Sequence, residues 1–393
     1  MRGMIRSRSK GSWQVTMECG RDPVTKRRQR RTFTVRGTKK EAERQMIAAL
    51  QALETGNGVG PSKETVGEFL ERWLRDAARP SLAPRTFERY EDAVRKHMVP
   101  DIGALRLTEL RPRHIVEAEQ AWLQHGRLRG TGGLSSSTVL HHHRVLRKAL
   151  QQAIRWQLLG ANPADGVTPP KAIRREMSVL DTAQAATFLT AIEGAEFQFP
   201  LLTALYSGVR LGELLGMRWS DLDLNTGHFR VQQTLQRPRA GGVEYGPPKT
   251  HRSRRAVALP SVVLDALRSQ RASQSGQQLA AGPAWQGNDL VFTDALGRPL
   301  NATRMRKAFH RALLDAGLPR IRLHDLRHTM ATLMLAAGVH PKVVSERLGH
   351  ATINITLDTY SHVLPGLQEA AAEDLAAALA TAGRLELGGP DAR

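Results

Sequence analysis

Apolar residues follow two rhythms along the chain, and the switch between them divides it. Up to about residue 58 they alternate in short runs, Ser12 to Glu18 and Arg31 to Val35, with Arg-Asp-Pro in the turn between them. Such alternation specifies half-buried strands, and Trp13, Val15, Phe33 and Val35 offer a small core. Lys39 to Leu53 then reads as a helix, which the glycine-rich stretch Thr55 to Lys63 breaks. From there the period is helical. Thr65 with Glu68 forms a capping box, and Val66, Phe69, Leu70, Trp73 and Leu74 make an apolar stripe expected to end before Pro80. Further helices are predicted near Arg85 to Met98, Arg113 to Gln124 and Ser137 to Leu158. Asn162 to Lys171 has no apolar period and its prolines stiffen it, so it reads as a linker.

Beyond about residue 175 the pattern is again mainly helical, with a small sheet expected between Gly227 and Leu259. Leu326, Met330 and Leu333 recur at helical offsets, Gly338 suits the C-cap that follows, and Pro341 suits the first turn of the next helix. A short helix starting near Thr352 carries Tyr360, and an alanine-rich tail presents Leu367, Leu375 and Leu379 for docking. The whole predicts a multidomain, mainly α protein. Residues 1–58 form a small β-rich unit of a three-stranded sheet plus a helix, 63–165 an all-α unit, and 175–393 a mainly α unit with a small antiparallel sheet.

Charge narrows the partner. The 57 Lys and Arg residues against 37 acidic ones give +20, and the first 60 residues alone carry +9. A chain with pI near 11.0 is drawn to polyanions, with an affinity that falls steeply as salt rises. With Cys19 as the one cysteine, no disulfide can form within the chain, which fits a reducing cytoplasm. No stretch approaches the roughly 18 apolar residues that span a bilayer, so no membrane partner is expected.

The segment from His324 to His362 suggests phosphoryl chemistry. Attack on a DNA phosphate spreads negative charge over the equatorial oxygens, so catalysis needs fixed cations and donors. In HDLRH, His324 and Arg327 stand three apart and would share a helical face, able to grip one phosphate together. Arg210, in SGVRLGE, is a second arginine, with Glu213 three residues on to orient its guanidinium. Lys249 sits at the turn-like entrance to a strand holding Val257 and Leu259, beside Arg252, Arg254 and Arg255, and could give a proton to a leaving 5′ oxygen. Of four tyrosines, Tyr90 and Tyr206 read as packing and Tyr245 lies in a Gly-rich connection, which leaves Tyr360. Cationic neighbours would favour its phenolate as nucleophile.

Together SGVRLGE, PKT, HDLRH, LGH, Thr356 and Tyr360 resemble the tyrosine recombinase, or phage integrase, family over essentially the whole chain. The resemblance implies that Arg210, Lys249, His324, Arg327, His350 and Tyr360 fill the active site. It implies that Tyr360 forms a 3′-phosphotyrosyl link and frees a 5′ hydroxyl, which a 5′ hydroxyl of the partner duplex later reverses, with no metal, cofactor or ATP. By the same resemblance, residues 1–58 are similar to an arm-type DNA-binding domain, 63–165 to a SAM-like core-binding domain and 175–393 to the catalytic domain. The expected activity is site-specific recombination for a mobile element or viral genome, by a homotetramer on double-stranded attachment sites, with accessory directionality and host DNA-bending factors. Candidate DNA contacts are Arg28, Arg30 and Arg31, and, on the second unit, Arg144, Arg147 and Lys148, with His141, His142 and His143 read as part of the same DNA-facing surface.

Two other classes fit parts of the pattern. HDLRH is similar to the zinc motif with two histidines one turn apart, though Asp325 stands where that motif has Glu and Arg327 would crowd the metal. Met334 to Leu348 reads as helix, glycine turn, helix, as in a non-catalytic DNA-binding regulator, which leaves Arg210 and Tyr360 without a role.

Overall fold

The structure is a computed structural model that describes residues 3–9, 11–21, 28–54, 63–128, 130–173, 177–239, 241–248, 254–360, 372–373 and 375–380. It divides into two compact units, 1–175 and 176–393.

The first unit begins with an antiparallel sheet in the order β1 (Gly3–Ser9), β2 (Ser12–Arg21), β3 (Arg28–Arg36), followed by helix α1 (Lys39–Glu54). β1 has no clean apolar alternation; it forms because β2 offers an edge, with Ile5 opposite Val15. Val15, Met17, Val35 and Ala42 are buried between sheet and helix. Because strand residues alternate between faces, the opposite face carries Arg6, Gln14, Thr34, Arg30 and Arg36.

Helices α2 (Val66–Trp73), α3 (Arg79–Ser81), α4 (Pro84–Ala93), α5 (Val99–Ile102), α6 (Pro112–His125) and α7 (Ser136–Arg155) then enclose a separate core. The capping box is present: Glu68 N–H donates to the Thr65 hydroxyl, and Thr65 N–H to the Glu68 carboxylate at 2.8 Å. The expected stop before Pro80 does not occur. The chain instead winds a π-helical turn at Leu74–Ala78 and continues through Arg79-Pro80, and it repeats the device at Val94–Met98 before Val99-Pro100. A wider turn moves aside the carbonyl that a proline ring would otherwise strike, so the helix carries on.

A second correction concerns the histidines. His142 and His143 are buried, not DNA-facing. His143 Nδ1 lies 2.7 Å from Glu119 Oε1, and the His142 ring lies tilted against that of His97, with centroids 4.7 Å apart. Burial, with His97 and His141 nearby, drives the His142 pKa down to about 4.

The second unit packs α8 (Thr182–Ala191), α9 (Gln198–Ser207), α10 (Leu211–Leu215), α11 (Ser261–Ala281), α12 (Ala302–Asp315) and α13 (Asp325–Ala336) around a core containing Phe188, Leu201, Phe309 and Leu326. The single sheet expected between Gly227 and Leu259 is two. One is β4 (Leu222–Asp223), β5 (His228–Arg230) and β8 (Ala256–Ala258); the other pairs β6 (Thr234–Gln236) with β7 (Glu244–Gly246). Helices α14 (Pro341–Leu348) and α15 (Ile353–Tyr360) close a smaller cluster with α13, made of Met330, Ala331, Leu335, Val344, Leu348 and Tyr360. At 375–380 the chain is helical, with Leu375 and Leu379 exposed, while Leu367 lies outside the described residues.

Candidate active site

Three helix ends meet around Arg327, and glycine lets two of them do so. Gly208 closes α9 with φ 65°, and a Cβ there would strike Met330 Cε at 2.0 Å. Gly349 closes α14 with φ 63°, where a Cβ would meet the Arg255 side chain at 3.0 Å. Both positions need the left-handed conformation and the missing side chain together. The last carbonyls of a helix have no partner within it and carry the negative end of its dipole. Arg327 takes one from each helix, donating from Nη1 to Gly208 O at 2.6 Å and from Nη2 to Leu348 O. Arg347 caps the Tyr206 carbonyl of α9, and Arg255 Nε donates to Arg347 O at 2.6 Å. Two helix ends thus hold cations that would otherwise be costly to bury.

Arg327 is buried, whereas His324, which precedes the first residue of α13, is exposed. Burial, and then the charges of Arg210 and Arg255, bring the Arg327 pKa down to about 9, so it stays a cation at neutral pH.

Glu213 balances this charge. Its side chain is 3% exposed; Arg210 Nη1 donates to one oxygen at 2.8 Å and Arg255 Nη2 to the other at 2.8 Å. Burial raises the Glu213 carboxyl, but the hydrogen bond and charge of Arg255, with those of Arg210, outweigh it and hold the pKa below the usual range. The Arg210 backbone N–H also donates to Glu213 at 2.9 Å, which locks the turn before α10.

Three histidines surround the arginines. His350 follows Gly349, and its Nδ1 lies 2.8 Å from the Thr356 hydroxyl, which leaves Nε2 for an outside oxygen. Burial and the neighbouring Arg327 push His350 down to about 4; the protein packed beneath His324, and then Arg327, lower that ring as well. His328 lies between His324 and the phenol. Its ring is 5.3 Å from that of His324, and Nδ1 is 2.7 Å from Tyr360 Oη. Burial and His324 bring His328 to about 4. Tyr360 itself is fully buried; that burial pushes its pKa up to about 12 against the opposing charge of Arg327. All three rings are neutral at pH 7, and the phenol keeps its proton. Asp325 is bound to Arg322 at 2.7 Å and serves as an anchor for the helix start. Among the described residues no three His, Cys, Asp or Glu side chains are placed to hold a metal.

The structure therefore groups Arg210, Glu213, His324, Arg327, His350 and Tyr360, and Lys249 lies outside the described residues. Sequence reasoning missed Arg255, hidden as one of several cations after Lys249. It also missed His328, weighed there only as half of a zinc pair. Of the candidate DNA contacts, Arg30 is exposed and 3.5 Å from Glu18, while of Arg28 and Arg31 only the backbone is described. Arg144 is exposed, Arg147 donates to Asp165 at 2.7 Å, and Lys148 stands 5.4 Å above the Tyr90 ring.

Comparison with known proteins adds independent findings. Residues 178–366 match the phage integrase family, and 65–123 match the phage integrase N-terminal SAM-like domain. A tyrosine recombinase XerC-like protein of Caldanaerobacter subterraneus subsp. tengcongensis is 30% identical over 382 residues, covering 92% of this chain and 95% of that one. An integrase of Streptomyces ambofaciens is 29% identical over 382 residues, covering 91% and 92%. Among solved structures, the Tn1549 transposon integrase in complex with transposon right end DNA matches 79% of this chain and 99% of its own, with TM-score 0.67 and 22% identity. A lambda integrase tetramer bound to a Holliday junction matches 88% and 95%, with TM-score 0.54 and 18% identity.

Proposed function

The chain belongs to the tyrosine recombinase, or phage integrase, family, and we propose that Tyr360 is the nucleophile with which it exchanges DNA strands. It is a site-specific DNA recombinase of the integrase type. The observation that carries the assignment of Tyr360 is its position: the phenol contacts the helix that bears Arg327, and the Arg327 charge acts on it. A phosphate seated against Arg210, Arg327, His324 and His350 meets fixed cations and neutral donors, which suits a transition state that gains negative charge. Arg matches two phosphate oxygens at once through its planar fork. Tyr360 attacks the phosphorus, the 3′-phosphotyrosyl bond keeps the energy of the broken linkage, and Lys249 protonates the 5′ oxygen.

The acting species is proposed to be a homotetramer on two duplexes, recombining attachment sites of a mobile element. Accessory directionality and host DNA-bending proteins would set its direction. The uncovered face of the first sheet, with Arg6, Arg30 and Arg36, is the proposed arm-site contact, and Arg144, Arg147 and Lys148 the core-site contact. Incubation with a nicked suicide substrate in EDTA tests the reading. A denaturation-resistant protein–DNA adduct that Tyr360→Phe abolishes is expected; binding without an adduct would make the chain a regulator.

A further inference from the structure

Among the described residues Tyr360 Oη makes one hydrogen bond, the 2.7 Å contact to His328 Nδ1, in a place where the ring is fully buried. For the phenol to donate, Nδ1 must carry a lone pair and Nε2 the proton. The rings lie 5.8 Å apart, with the imidazole at a half-buried position on α13, one residue after Arg327. The backbone therefore fixes this nitrogen relative to the guanidinium proposed to hold the phosphate. His350 and His324 are otherwise placed. His350 Nδ1 is taken by Thr356, and the His324 ring lies edge to face against that of His328, 5.3 Å away.

We propose that His328 is the general base that takes the phenolic proton of Tyr360 during strand cleavage, an inference that rests on Tyr360 being the nucleophile. As the Tyr360 oxygen forms its bond to phosphorus, its proton passes to His328 Nδ1. The bond from phosphorus to the 5′ oxygen breaks, and that oxygen takes a proton from the general acid, for which Lys249 is the candidate. On rejoining, the imidazolium returns its proton to the leaving phenolate. A base of this kind must be neutral before attack, and His328 is, since burial and His324 hold it uncharged at pH 7. The phenol keeps its proton until the bond to phosphorus forms, so the resting enzyme carries no exposed phenolate. Positioned proton acceptors contribute roughly 10²- to 10⁴-fold to a rate.

The test uses single-turnover adduct formation on a nicked suicide substrate from pH 5.5 to 9.5, with the full-length chain. His328→Asn places an amide oxygen near the Nδ1 position, so it keeps the hydrogen bond and cannot take up a proton. Expected is a deficit of about 100-fold or more at pH 7. The deficit should narrow as pH rises, because hydroxide replaces the base, and it should persist on a 5′-bridging phosphorothiolate, whose leaving group needs no acid. Wild-type activity in His328→Asn, a deficit equal at every pH, or a deficit erased by the phosphorothiolate would each overturn the base role. If His328→Asn melts early, its rates are read at a lower temperature where the fold persists, against the wild type at the same temperature. Tyr360→Phe separates the two claims. An adduct surviving in that variant removes the nucleophile and this inference together, whereas a silent Tyr360→Phe beside a fully active His328→Asn removes only the inference.

Discussion

Replacing Glu213 tests the electrostatic logic of the site more directly than replacing any arginine. The carboxylate is 3% exposed and is held on both oxygens, with Arg255 only 6% exposed and Arg210 39% exposed. Glu213→Ala takes the paired carboxylate away from the buried Arg255 cation, which lies near Arg327 and Arg210. Removing one partner of a buried pair costs about 3–5 kcal/mol, most of it the stranded charge. For a unit of this size, 1 kcal/mol moves the melting temperature by about 2–4 °C, so a fall on the order of 10 °C is expected by calorimetry. Adduct formation should fall about 100-fold or more at a temperature where the fold persists, because Arg210 loses the group that aims it. The double variant Glu213→Leu with Arg255→Leu removes charge and partner together, and buried pairs replaced by apolar groups are often neutral in stability. It should therefore recover most of the lost melting temperature while remaining slow. A Glu213→Ala protein melting within a degree of the parent would refute the argument, since the carboxylate could not then be neutralising a buried cation.

Three further outcomes are expected. His142 is neutral when folded, with a pKa near 4, and titrates near 6.5 unfolded, so the unfolded chain binds more protons between those values. Stability is then full above about pH 6.5 and lost as pH falls, by about 2 kcal/mol at pH 5 and about 3 kcal/mol below pH 4. His97 and His141, both also lowered by burial, add in the same direction. Urea unfolding of the helical unit at pH 7.5 and pH 5 reads this, and an equal pH dependence in His142→Phe would count against it. Thr356→Val frees His350 Nδ1 and should slow cleavage about tenfold with little change in melting, from a lost bond worth on the order of 1 kcal/mol; an unaltered single-turnover rate would show that His350 needs no such orientation. Deleting residues 1–58 should cost integrative recombination far more than cleavage of a core site, and equal losses would deny the sheet a separate DNA contact.

What could be read from the chain alone follows from how local each signal is. The Thr65 and Glu68 cap, the end of α13 at Gly338, and Pro341 at a helix start are all decided within four residues, and the sequence states them openly. The strand β1 is not local, because Gly3–Ser9 has weak alternation and pairs only once β2 exists. Pro80 misled for a related reason: whether a proline stops a helix depends on the turn before it, and a π-helical turn tolerates one. His141, His142 and His143 stand beside Arg144 and look like a basic surface, yet the angular step of a helix turns the second and third into the core. Arg255 and His328 were unreadable as site residues because their roles arise from contacts 42 and 32 residues away in sequence.

The arrangement also explains why arginine, rather than histidine, carries the site's charge. Burial takes two of the rings, His350 and His328, to about 4, and the protein packed beneath the exposed His324, with Arg327, lowers that ring as well. An arginine under the same pressure drops only to about 9 and remains a cation, provided something negative lines its pocket. Here that lining is Glu213 for Arg210 and Arg255, and two helix C-termini for Arg327. The histidines are thereby left as neutral donors or acceptors whose roles depend on a hydrogen bond at the other nitrogen. Thr356 sets that choice for His350, and Tyr360 sets it for His328. Lysine in place of Arg327 would reach one helix end at a time, so the second carbonyl, of Gly208 or Leu348, would be left buried and unpaired. A conservative change at 327 is thus expected to loosen the junction of α9, α13 and α14 as well as the grip on phosphate, and the two losses should appear together.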